Sequence, residues 1–270
     1  MVWPFPPRQR KRIARIEVSG PIDGSTRKRV LKALKTVEEK RYPALLLRID
    51  SPGGTVGDSQ EIHAALLRLR QDKGVKVVAS FGNISASGGV YIGMGADHIV
   101  SNPGTITGSI GVILRGNNIE RLLDRVGVSF KVVKSGPYKD ILAPDRRMTS
   151  GEKEILQSLI DTSYGQFVRT VAEARQLDEA TVRSFADGRV FTGEQALGLG
   201  LVDRLGTEED ARRWTAELAG LDPEKAECDR IEPPKPLLKK LIPGQGAIAA
   251  LDWLSFELGT NGQPLWLFRP

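Results

Sequence analysis

Cysteine, histidine and aromatic side chains are scarce in this chain. It carries one cysteine, Cys228, two histidines, His63 and His98, and only 6% aromatic residues among its 270. A lone thiol cannot close an internal disulfide, and a thiolate zinc site needs several. Two histidines leave too few imidazoles for a histidine-rich metal centre. No run approaches the roughly 18 consecutive apolar residues that a membrane-spanning helix requires. The N-terminal stretch MVWPFPPRQRKR has no apolar core followed by a cleavage site, so it does not read as a secretory signal. These absences point to a chain that is cytoplasmic or peripheral on a membrane.

What is present is an ordinary globular composition, 40% hydrophobic and 27% charged, with 29 glycines for turns and close approaches. The net charge of +6 is diffuse except for RQRKR at residues 8–12, and no nucleic-acid recognition motif accompanies it. Nucleic acid is therefore not an expected partner. Trp3 and Phe5 beside those basic residues suit peripheral contact with an anionic membrane surface.

Apolar runs alternate with helical patterns. RIARIEVSG, ending at Gly20, reads as a strand. STRKRVLKALKTVEEK reads as a helix capped by Ser25, with Val30, Leu34 and Val37 at helical spacing. ALLLRID is a second strand, SPGG a turn, TVGDSQEIHAALLRLRQ a helix and VKVVASF a third strand. HIVSN, a helix near NNIERLLDRVG and a strand over SFKVVKSG follow. From Thr149 to Leu177 the pattern is one long helix, capped by Thr149 or Ser150 with Glu152 in its first turn. This rhythm predicts an α/β fold with a mainly parallel sheet. After about Asp229, six of the 16 prolines fall in the remaining residues. The expected organisation is a basic tail over 1–12, one domain over 13–228 and a proline-rich arm over 229–270. Within the arm, AIAALDWLSFEL reads as a short amphipathic piece.

The chemistry centres on NISASGGVYIG, residues 83–93. Neither this stretch nor DSPGGTVGD contains a phosphate-binding loop, and GMGADH lacks the third glycine of a dinucleotide fingerprint. A serine–histidine triad is unsupported: His63 lies inside an amphipathic helix, His98 begins a strand, and no GxSxG elbow exists. Serine can instead use a lysine base, if burial keeps the amine neutral. Ser87 would then open a helix, Gly88 and Gly89 would let substrate approach the backbone, and the glycines of SPGG would present free N–H groups. Spacing does not choose among the many lysines.

DSPGGTVGDSQEI, GNISASGGVYIGMGADHIVSNPGTITGSIGV and KSGPYKDILAPDRRMT occur in order and together resemble the signal peptide peptidase A family of serine–lysine proteases, over about residues 13–215. The resemblance implies the Clp protease/crotonase-like fold, a spiral of βαβ units followed by a long helical segment. It implies Ser87 as nucleophile, Lys139 as general base, the Gly54 and Gly88 amides as oxyanion-hole donors and Ser109 as the hydroxyl that orients the lysine. Ser85 is a decoy ranked below Ser87. It further implies a homo-oligomer, an octamer in short members, with serine and lysine contributed by neighbouring subunits. Its substrates would be signal-peptide remnants and other unfolded or membrane-derived polypeptides, and no metal or cofactor is implied. A crotonase-like acyl-CoA enzyme and a non-catalytic scaffold of the same fold are the alternatives.

Overall fold

The computed structural model describes residues 11–232, 256, 259–260 and 262–268. In chain order the elements are β1 (Ile13–Ser19), α1 (Gly24–Glu39), β2 (Ala44–Ser51), β3 (Gly53–Thr55), α2 (Val56–Lys73), β4 (Lys76–Ala86), α3 (Gly88–Gly93), β5 (His98–Ser101) and β6 (Ile106–Gly108). Then come α4 (Glu120–Val126), α5 (Ser150–Arg175), α6 (Glu179–Phe185), β7 (Val190–Thr192), α7 (Gly193–Gly198), β8 (Arg204–Leu205), α8 (Glu208–Leu218), β9 (Cys228–Arg230) and β10 (Leu265–Leu267).

The main sheet runs β7-β6-β4-β2-β1-β9, with β5 joining β4 to β8, and every pairing is parallel except β6 with β7. Alternate residues sort the strands into two layers, as period-two geometry requires. Ile16, Val18, Leu45, Leu47 and Ile49 face the large core with the helical residues Val30, Leu66, Ile92 and Phe167. Ile13, Leu46, Val78 and Val100 face Ala211 and Ala216 of α8. Each fully buried aliphatic side chain contributes ~1.5–3 kcal/mol, which makes this two-sided burial the main stabilising term.

Several expectations need correction. Asp23, not Ser25, caps α1: its carboxylate accepts the Thr26 N–H at 2.8 Å and the Ser25 hydroxyl at 2.7 Å. The third strand does not end at Phe81 but continues as β4 to Ala86. The turn-like Gly82 and Asn83 are absorbed by a register shift opposite Asp50, whose carboxylate accepts the Ile84 N–H at 3.1 Å. SPGG is not merely a turn, because Gly53–Thr55 forms a strand against β10. No strand forms over SFKVVKSG. Its β-prone residues are exposed, with no neighbouring edge among the described residues, and a strand exists only by pairing.

The boundary expected at 228/229 falls inside β9, which pairs with β1 in the main sheet. The rest of the basic tail before Lys11, and AIAALDWLSFEL apart from Phe256, lie outside the described residues. Among the described residues no helix is long and apolar enough to cross a membrane. The long helix is as expected: Thr149 caps α5 and exchanges bonds with Glu152 in a capping box.

Candidate active site

The small-residue run at 85–93 is the junction of β4 and α3. Ser85 is fully buried and committed to structure, its hydroxyl donating to the Ile49 carbonyl at 2.6 Å and accepting the Gly82 N–H at 3.2 Å. Ser87 is different. It is the last residue before α3, with φ 53° and ψ −115°. A non-glycine residue at positive φ is strained, and such strain persists only where surrounding bonds enforce it. One such bond is the Ser87 N–H to the Gly108 carbonyl, 2.8 Å. The Ser87 side chain is buried, yet among the described residues its Oγ has no hydrogen-bond partner. A buried hydroxyl without a partner is destabilising and uncommon.

The glycines around Ser87 are dictated by close approach. A Cβ on Gly54 would lie 1.9 Å from the Ile22 carbonyl oxygen, and one on Gly88 2.7 Å from Ser59 Oγ. Gly93 packs where a Cβ would meet the Phe81 ring at 2.7 Å. Glycine at these three positions lets α3 sit directly on the sheet and brings the β3 backbone beside the start of α3. The Gly53 site shows how near: its Cβ would fall 2.7 Å from the Gly88 nitrogen. Ser109 follows Gly108 at the end of β6, also at positive φ (51°) and nearly buried, its N–H bonded to the Arg189 carbonyl at 2.7 Å. The β4–β6 ladder ends at Ala86 and Gly108, so Ser87 and Ser109 leave the sheet side by side. Ser87, Gly54, Gly88 and Ser109 are thus gathered at one end of the sheet.

Lys139 is not gathered with them. It is exposed, in a turn between α4 and α5, and makes no bond to Ser87 Oγ within the chain. Its turn is nonetheless held firmly. Asp140 accepts from Lys134 Nζ at 2.6 Å and from Arg146 Nη2 at 2.9 Å. Arg146 Nη1 in turn donates to Glu152 at 2.9 Å, and Arg146 Nη2 bonds the same carboxylate. Glu152 also accepts the Thr149 N–H at 2.8 Å. Bonds from Arg146, then Lys134, hold the Asp140 carboxyl far below its ordinary range. Bonds from Arg146 and Thr149 hold Glu152 at about 2. Sequence reasoning placed Glu152 at the helix start but missed Arg146 as its partner; the only signal was a basic pair, Arg146–Arg147, just before the cap.

His63 packs at a ring-centroid distance of 4.9 Å from Tyr91, and burial, with Arg70 nearby, pulls it down to about 4. It is a neutral packing residue at pH 7.

The backbone belongs to the ClpP-like α/β class. It is similar to a ClpP1 mutant from Listeria monocytogenes, with TM-score 0.51, 20% identity and coverage of 74% of this chain and 94% of that one. It is also similar to a mutant of the membrane-bound stomatin-specific protease 1510-N, with TM-score 0.55, 15% identity and coverage of 83% and 98%. Residues 69–222 match peptidase family S49. A Synechocystis protein named as a candidate protease is 66% identical over the full length of both chains. An Enterococcus faecium protein named as a candidate signal peptide peptidase SppA is 38% identical, covering 66% of this chain and 51% of that one. Protease 4 of Salmonella typhi is 36% identical over 76% of this chain and 32% of its own length. The chain thus spans about half the length of the first of these two and about a third of the second. It belongs to peptidase family S49, and its class of activity is proteolysis.

Proposed function

We propose that this peptidase is a serine endopeptidase with Ser87 as nucleophile, Lys139 as general base, the Gly54 and Gly88 amides as oxyanion donors and Ser109 orienting the lysine amine. The observation that carries this reading is the state of Ser87: strained, buried, without a bonding partner, and next to two glycine backbones. Neutral Lys139 takes the Oγ proton as the oxygen attacks the peptide carbonyl. The developing oxyanion is held by the two amides, each worth ~3 kcal/mol when lost. Lys139 returns the proton to the leaving amine, the C–N bond breaks, and water releases the acyl group through the same base.

A charged ammonium has no lone pair with which to accept a proton, and burial is what drives a lysine amine towards its neutral form. Lys139 therefore needs a cover. Residues 111–150 contain no buried residue, and they expose Leu122, Val126, Phe130 and Val133. Apolar exposure on this scale is the mark of an interface. The occupant that fits is a second copy of the chain, so that each site takes Ser87 from one copy and Lys139 from its neighbour. A homo-oligomer, octameric in the resemblance noted above, follows. The substrates are signal-peptide remnants and other unfolded or membrane-derived polypeptides, with peripheral membrane contact through the basic, aromatic N-terminus.

A fluorophosphonate probe followed by peptide mass spectrometry tests the nucleophile. The adduct is expected on Ser87 and absent from Ser87→Ala. An adduct on Ser85, or none on the wild-type oligomer, contradicts the assignment.

A further inference from the structure

The parallel register of β2 and β4 breaks just before the candidate site. Ile49 lies opposite Phe81, but Ser51 lies opposite Ser85. Residues 82–84 of β4 therefore stand against the single residue Asp50 of β2. Without this surplus of two residues, Ser87 would stand ~6.6 Å further out past the end of β2, at ~3.3 Å per strand residue. With it, α3 starts beside β3, where a Cβ on Gly53 would fall 2.7 Å from the Gly88 nitrogen. The register shift is what brings Ser87 level with the glycine backbones.

A break in register takes backbone groups out of the ladder, and the buried ones must find other partners. Side chains supply them here. The Gly82 N–H donates to Ser85 Oγ at 3.2 Å, and the Gly82 carbonyl accepts the Thr105 hydroxyl at 2.6 Å. The Ser85 carbonyl accepts the Thr107 hydroxyl at 2.7 Å. All three hydroxyl residues are buried. The Ile84 N–H donates to Asp50 Oδ1 at 3.1 Å, and Asn83 Nδ2 approaches Oδ2 at 3.4 Å. Asp50 is the charged member of this set and the one that stands on β2. Its own backbone is fixed, paired with Ser19 of β1 and accepting the Gly20 N–H at 3.0 Å. Gly82 makes room for the carboxylate, because a Cβ there would lie 2.6 Å from Asp50 Cγ.

We propose that Asp50 is a positioning residue for the nucleophile: by holding the Ile84 N–H it fixes the surplus segment of β4, and so sets where Ser87 stands against the Gly54 and Gly88 amides. The proposal rests on the serine-peptidase reading above. Asp50 neither touches substrate nor carries a proton in the reaction; it acts through the backbone of β4. If the segment loosens, Ser87 Oγ shifts relative to the amides, and a displacement of about 1 Å at a reacting centre costs up to about a hundredfold in rate. Asparagine at this position keeps an acceptor oxygen for the Ile84 N–H, whereas alanine offers none.

The test uses the full-length oligomer, dye-labelled denatured casein as substrate and a fluorophosphonate as probe of Ser87. Asp50→Ala is expected to lower kcat about 10- to 100-fold with KM within about twofold of wild type, and to slow Ser87 labelling by the same factor as kcat. Asp50→Asn is expected to return both rates to within about threefold of wild type, with an unchanged pH profile of kcat/KM. Both variants are expected to melt within about 4 °C of wild type, so that the lost rate is not lost folded protein. Wild-type turnover in Asp50→Ala, a raised KM at constant kcat, no recovery in Asp50→Asn, or a loss that tracks unfolded protein overturns the proposal while wild type still labels at Ser87. No labelling of Ser87 in wild type overturns the serine-peptidase reading and this proposal with it.

Discussion

Residues 11–110 and residues 111–150 are built on opposite terms. In the first region, β1, β2 and β4 bury nearly every inward side chain, and the nucleophile candidate sits at the end of the central strand. In the second, no residue is buried and the large apolar side chains face outward. One half of the proposed chemistry, Ser87 with its glycine amides, is fixed by a packed core. The other half, Lys139, is fixed only locally, by the Asp140–Arg146–Glu152 ion-pair chain. In the proposed mechanism an alcohol and an oxyanion hole need a core for rigid placement, an amine that must lose its charge needs burial, and the described residues of a single chain do not bury Lys139.

Predictions that would break or sharpen this contrast run from large to small. Ser87→Ala should reduce peptidase turnover by about 10⁴-fold or more, with an unchanged melting curve or a slightly raised one, because a strained, unpaired hydroxyl is removed. Phe130→Asp combined with Val133→Asp should convert the oligomer to monomers in sedimentation and abolish turnover, while the monomer keeps its circular dichroism spectrum. An oligomer that survives both charges would move the interface elsewhere.

Arg146→Ala should cost about 10- to 100-fold in kcat with little effect on KM, since it loosens the turn that carries Lys139 without touching substrate. Arg146→Lys, which cannot bridge Asp140 and Glu152 in the same forked manner, should recover only part of the loss. The depressed Asp140 and Glu152 groups bring stability that is complete above their unfolded values near ~4 and lost only as pH falls through their folded ones. The clamp should therefore survive at pH 5.

The smallest effect concerns His63. Its folded value of about 4 lies below the ordinary value of 6.5. Between these limits the unfolded chain binds more protons, so stability declines as pH drops from 6.5 towards 4. The whole contribution is at most ~3 kcal/mol. His63→Gln should flatten the fall in melting temperature over that window, as thermal melts at successive pH values would show.

Much of the first region was legible in the sequence, because burial imposes periodicity. Val30, Leu34 and Val37 marked α1, the apolar ALLLRID marked a strand covered on both faces, and Thr149 with Glu152 marked the start of α5. The ordered motifs also pointed to the peptidase family. The second region was misread for a physical reason. The β-prone residues of SFKVVKSG carry the pattern of a strand but find no edge among the described residues. Two further contacts left little trace in the pattern. Arg146 reaches Glu152 across a helix cap, and β10 returns from the far end of the sequence to pair with Gly53–Thr55. Periodicity reports which face is buried, not which distant segment covers it.

The most direct measurement of the divided site is complementation. Ser87→Ala and Lys139→Ala proteins, each inactive alone, are mixed with subunit exchange verified by mass, and cleavage of dye-labelled denatured casein is followed. If the alcohol and the amine come from neighbouring copies, a fraction of sites regains both groups and activity returns in proportion to the mixed interfaces formed. Verified mixed oligomers that remain inactive would contradict a site shared between copies.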